Sequence, residues 1–196
     1  MLESTVDHLL KEVLAAAHEY DVAEGELSKA YRADPTPAAW EDAARVAKRR
    51  ACFLAIAIDG LADRCKNELG LSLAHIRSDV SALCCWPGTC ASRTDAVARI
   101  RGVANAYKHQ NLSDPSLPIA SEADILVVGL GYGRDGWGVG KFGGVEVLVR
   151  ETAGDTYKFL GDAPVVIAAW FMFLAQKGAT NLPPGPVTIF NLQLHP

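Results

Sequence analysis

The chain has 196 residues, a net charge of −4 and a pI of about 5.7. At 49% hydrophobic and 21% charged it has enough apolar sequence to bury a core, so a disordered or fibrous chain is excluded, and so is a globally basic field for nucleic acid. Met1-Leu-Glu-Ser-Thr-Val-Asp7 has neither a basic start nor an uninterrupted apolar run, so no secretory signal is expected. The longest apolar runs, near Ala51–Ile58 and Pro164–Ala175, are too short to span a bilayer, and a cytoplasmic protein with no membrane partner is expected.

Ser4 or Thr5 is positioned to cap a first helix whose apolar stripe is Val6, Leu9, Leu10, Val13, Leu14 and Ala17. The pattern loosens at Glu24-Gly25-Glu26, resumes through Leu27, Ala30 and Tyr31, and breaks at Ala33-Asp-Pro-Thr-Pro37. Thr36 and Pro37 open the longest helix, to about Glu68, because Pro at the first helical position loses no needed N–H. Ala51–Ile58 is apolar all round, which marks a central core helix, and Gly70 is its stop. Lys48-Arg49-Arg50 is either an anion contact or a solvated basic face. Ser72 opens a shorter helix with Leu73, Ile76, Val80 and Leu83 inward. His75, beside that stripe, reads as a hydrogen-bonded structural histidine.

The five cysteines are Cys52, Cys65, Cys84, Cys85 and Cys90. Their odd number and helical settings point to reduced thiols. Cys84-Cys85-Trp-Pro-Gly-Thr-Cys90 lacks the Cys-x-x-Cys spacing of zinc sites, so no metal and no cofactor is expected there or elsewhere. Trp86-Pro-Gly-Thr is a turn.

A helix is predicted from about Arg93 to His109, with Ser92 as N-cap and Asp95 three residues on. Val97, Ile100, Ala104 and Tyr107 recur at helical spacing and should face the core. Arg101, Asn105, Lys108 and His109 stand at i, i+4, i+7 and i+8 and share another face. That face unites a guanidinium, an amide, an ammonium and an imidazole. The set can hold a phosphate, and the imidazole can move a proton near neutral pH. It is also, and more commonly, what a solvated helix end looks like, since basic residues favour the C-terminal end of the helix dipole.

After the loop Asn111–Pro118 the pattern changes to strands: Ile125–Val128, Val145–Arg150 and Thr156–Leu160, the simplest arrangement being a three-stranded antiparallel meander. Gly129-Leu-Gly-Tyr-Gly133 has Arg134 where a dinucleotide fingerprint needs Gly, and no helix follows. Gly140-Lys141 fails as a P-loop because Asp135 and Phe142 occupy required Gly and Ser/Thr positions. The stretch 129–144 reads instead as a glycine-rich hairpin. Its Tyr132, Trp137 and Phe142 either stack on a partner or fold back over the sheet. Asp162 is placed to cap a last helix, apolar nearly all round from Val165 to Leu174, and Val187–Phe190 to add an edge strand. The expected fold is α+β: a helical bundle at 1–113, then a small antiparallel β-meander with one covering helix at 114–196, packed with the bundle as one domain or separate from it.

The helix ending Asn105-Ala-Tyr-Lys-His109 resembles the motif helix of HEPN-type all-helical domains, in which Arg, often followed by Asn, precedes His by four to six residues. The resemblance covers roughly residues 1–113. Here Ala104 stands where that Arg would be, and Arg101, seven residues removed from His109, is the guanidinium one turn earlier on the same face. The C-terminal glycine hairpin and apolar helix lie outside a standard HEPN domain and are similar to a group of bacterial proteins. The resemblance implies one of two roles, each as a homodimer. The first is a non-catalytic binding or interaction module for RNA, nucleotide or a protein partner, with Lys108 and Tyr107 as ligand-binding residues. The second is a metal-independent ribonuclease of toxin or phage-defence type. In it His109 would be general acid/base, Arg101 would stabilise charge on the phosphorane and Asn105 would orient the group.

Overall fold

The computed structural model describes residues 2–86, 91–109, 112, 116–130 and 144–194. Helix α1 (Glu3–His8) follows Leu2, which stands at φ 68°. Its cap is not Ser4 or Thr5. The Ser4 and Thr5 N–H groups donate to the two Glu68 carboxylate oxygens at 2.9 and 3.0 Å, and the Thr5 hydroxyl donates to Glu68 as well. A carboxylate brought from far along the chain therefore satisfies the orphan donors of the first turn and complements its dipole. One π turn, Leu9–Val13, leads into α2 (Leu14–Ala33). α2 runs unbroken through Gly25, because Ala23, Glu24 and Leu27 are buried on its inner side and outweigh the roughly 1 kcal/mol that Gly costs in a helix.

Local signals fix the next two helices where expected. α3 (Pro37–Leu69) has Pro37 in its first turn and ends at Gly70 with φ 68°. α4 (Leu73–Ala82) is capped by Ser72, whose hydroxyl accepts from His75 N–H at 3.2 Å. α3 is the spine of the bundle and touches α1, α2, α4, α5 and α6. α5 (Ala96–Lys108) starts three residues later than the sequence pattern predicts. Ser92 pairs in a bridge with Cys85 and Arg93 N–H donates to Cys84 carbonyl, so that segment is held extended. The inner face of α5 is also rotated. Arg99, Gly102, Val103 and Ala106 are buried with Ile100 and Ala104, while Val97 and Tyr107 are half-buried.

β1 (Ile125–Leu130), β2 (Gly144–Arg150) and β3 (Thr156–Lys158) form the expected antiparallel meander, with Ile125 opposite Val149 and Val149 opposite Tyr157. Every residue of β2 from Val145 to Val149 is buried, so the strand is covered on both faces although its sequence alternates. Glu146, placed inside by this, faces Lys158 Nζ at 3.3 Å across the sheet. β3 stops opposite Leu148 because α6 (Phe159–Gln176) begins at the next residue. One position further along β2, Val147 N–H donates to Glu24 Oε1 at 3.2 Å, and the same oxygen accepts from the Tyr20 hydroxyl at 2.9 Å. Burial first, and then the neighbouring Glu24 carboxylate, push the Tyr20 hydroxyl well above its ordinary pKa.

α6 is long and apolar enough to cross a bilayer by length and composition, yet 78% of it is buried inside the structure, which is how a core helix behaves. Asp162 lies within its first turn rather than capping it. β4 (Val187–Ile189) does not extend the meander; it pairs with β5 (Leu192–Leu194) as a separate two-stranded hairpin. A single cluster of buried side chains runs from Leu2 to Leu194 and takes in the helices and β1, β2, β4 and β5. The fold is α+β, with helices predominating.

Candidate functional site

The C-terminal half of α5 carries the face predicted to act on a ligand. Arg101 is half-buried and borders a narrow hollow with Asp59 of α3 and Arg77 of α4, walled by Ile58, Val97, Ile100 and Trp170. The hollow encloses about 10 Å³, room for at most one water molecule. Asp59 is the carboxylate in its lining. It accepts from Arg77 Nη2 at 3.0 Å, and Lys108 Nζ stands 4.0 Å from its other oxygen. Arg77 Nε is buried with no partner among the described residues. Arg77 and Lys108 thus both approach one carboxylate, and Arg101 borders the same hollow.

The other predicted residues separate from this group. Asn105 Nδ2 donates to the Arg101 carbonyl at 3.0 Å, one turn back on its own helix. Tyr107 packs edge-on against Phe53, ring centroids 5.6 Å apart, and Arg49 lies over the other ring of that pair at 5.2 Å. His109 is exposed and already outside the helix, on extended backbone at φ −129° and ψ 131°. The i+8 relation that put it on the Arg101 face therefore ends at Lys108. Chemically, the arrangement offers donors and positive charge for an anion. Arg101, Asn105 and His109 do not converge on a closed cleft.

The strongest polar cluster lies elsewhere and escaped the sequence reading. Asp162, fully buried, accepts from Arg93 Nε and Nη2 at 3.1 and 2.7 Å and from Arg99 Nε and Nη2 at 2.7 and 3.0 Å. Arg99 Nη1 also donates to Glu151 at 3.1 Å, and its guanidinium lies 3.8 Å from the Tyr157 ring centre. Burial works against the charge on Arg99, and the Asp162 and Glu151 contacts outweigh it, so its pKa is raised. The signal was present in Ala96, Arg99, Val103 and Ala106: an arginine in a line of small residues at helical spacing.

The remaining candidates resolve into structural contacts. Lys48 donates to the Glu122 carbonyl, Arg49 lies over Phe53 and Arg50 bonds Glu19 at 2.6 Å, so the basic run diverges to three partners. His75 is exposed, 3.6 Å from Asp79, and not buried against the stripe. Among the described residues no group of three or more His, Cys, Asp or Glu side chains is placed to hold a metal ion. Cys90, and Tyr132, Trp137 and Phe142 of the glycine-rich stretch, lie outside the described residues. No family model, no curated protein and no solved structure matches this chain.

Proposed function

We propose that this protein is a non-catalytic, HEPN-like binding module that contacts the phosphate of an RNA or a nucleotide through the C-terminal half of α5, as a homodimer. The observation that carries the reading is the approach of Arg77 and Lys108 to Asp59 at a hollow that Arg101 also lines. Guanidinium groups suit phosphate oxygens because their donors form a planar fork. A ribonuclease on the same residues is the second reading. It needs Asn105 and His109 beside Arg101, and the Asn105 bond to its own helix counts against it.

The test is fluorescence anisotropy of a labelled mixed-sequence single-stranded RNA in EDTA, at about 50 mM salt where phosphate contacts are strong. Binding that falls steeply with added salt is expected. The double variant Arg101→Ala/Lys108→Ala should bind about tenfold more weakly, a loss of about 1.4 kcal/mol. The RNA should stay intact over hours. Absence of binding would refute the module, and cleavage lost in His109→Ala would replace it with the ribonuclease.

A further inference from the structure

A second hollow, independent of the α5 face, lies between α2 and the β4–β5 hairpin and has a volume of about 170 Å³. Asp21 and His18 of α2 line it on one side, Thr188, Phe190 and Asn191 of the hairpin on the other, with Leu14 as an apolar wall. Asp21 is its only formally charged residue. It is half-buried and has no hydrogen bond or ion pair among the described residues. The other half-buried carboxylates are all engaged: Asp59 by Arg77, Glu68 by the α1 backbone, Asp79 by Lys177, Asp124 by Arg150 and Glu151 by Arg99. Asp21 therefore brings to the hollow a carboxylate that no described cation neutralises.

The hairpin turn points the same way. Phe190 and Asn191 stand at φ 48° and 60°, the two-residue turn in which both central residues are left-handed. Asn tolerates this, whereas Phe does so under strain. The turn keeps the Phe190 ring edge-on to Tyr20, centroids 5.9 Å apart, and at the border of the hollow.

We propose that this hollow binds a small primary amine with a short apolar body. The ammonium sits on Asp21. It has three N–H donors, and the Thr188 hydroxyl and Asn191 amide oxygen are the neighbouring acceptors. The body lies between Leu14 and the Phe190 ring, whose face also attracts a cation. The volume suits a ligand near the size of benzene, which occupies an apolar protein cavity of about 150 Å³.

Benzylamine and benzyl alcohol, which share one body and differ in charge, make the test. Each is titrated into the ¹⁵N-labelled protein up to about 10 mM, well above the millimolar affinity range expected of so few atoms. Benzylamine should shift the backbone amides of residues 187–191 and of α2 around Asp21, and bind about fivefold more tightly than the alcohol, the scale of one partly exposed ion pair. Asp21→Asn should bring benzylamine to the alcohol's affinity. Asn191→Gly, which the positive φ accepts without strain, should weaken benzylamine about twofold with the fold intact. Equal binding of the two compounds, shifts confined to other residues, no shifts at all, or an Asp21→Asn protein that binds benzylamine as before would overturn the proposal.

Discussion

Asp162 shows how much one buried side chain can hold. Its two oxygens take four hydrogen bonds from Arg93 and Arg99, and Glu151 completes a set of two cations and two carboxylates. The set joins α5, the start of α6 and the sheet. Attraction inside such a network offsets the cost of removing charge from water only while every partner is present. Asp162→Ala would take four hydrogen bonds from two guanidiniums, one of them 3% exposed, and should cost about 3–5 kcal/mol in urea unfolding. Arg99→Met keeps the Arg93–Asp162 pair and fills the space with apolar atoms, so it should cost distinctly less. Equal losses for the two variants, or a loss below about 1 kcal/mol for Asp162→Ala, would mean that the network does not hold α5 to α6. The same residues explain why Arg99 goes unnoticed in the sequence beside Arg101. Arg99 and Arg101 are two positions apart, about 200° around a helix, so one faces the interior when the other faces outward. Nothing local says which.

At the scale of elements, the ends of helices divide into those set nearby and those set from afar. Pro37, Gly70 and Ser72 act within a few residues, and α3 and α4 begin and end where the sequence places them. The meander was equally legible, because its strands are consecutive. The N-terminus of α1 was not, since its acceptor, Glu68, lies 63 and 64 residues away. The interior placement of Glu146 was hidden because alternation implies one solvated face, and β2 has none. The gathering of Arg77 and Asp59 at Arg101 was hidden as well, since three different helices supply it. Glu68 makes the α1 contact testable. Burial pushes its carboxyl up, but the hydrogen bonds from Thr5 and Ser4 outweigh that and hold it below the ordinary value of 4.5. A lowered folded-state pKa means that the ionised carboxylate stabilises the fold at and above that ordinary value. The contribution is lost as pH falls through the lower, folded-state value. Glu68→Gln should therefore cost about 1 kcal/mol at neutral pH, the scale of a lost helix cap. Urea-unfolding free energies of wild type and variant should stay apart down to the ordinary carboxyl value of 4.5 and converge as the pH falls below it. A gap that does not change as the pH falls below 4.5 would mean that the carboxylate charge is not what holds α1.

Across the whole molecule, the buried cluster leaves no obvious seam between helices and sheet. α3 touches α1, α2, α4, α5, α6, β1 and β2, so its displacement would uncover nearly everything else. Three buried thiols sample this core at separate places: Cys52 and Cys65 on α3, and Cys84 just past α4. Burial pushes the Cys52 and Cys84 thiols up to about 12 and that of Cys65 up to about 11, so almost none is thiolate at pH 8 and none is reachable without opening. A disulfide reagent at that pH should leave all three unmodified in the native protein. As urea is added, their labelling should rise together, at one rate and with one midpoint, because an opening that exposes any of them must disrupt the shared core. Mass spectrometry of the quenched protein assigns each site. Labelling of Cys84 at a lower urea concentration than Cys52 and Cys65 would show that the end of α4 opens as its own unit, and the core would then be two cooperative pieces rather than one.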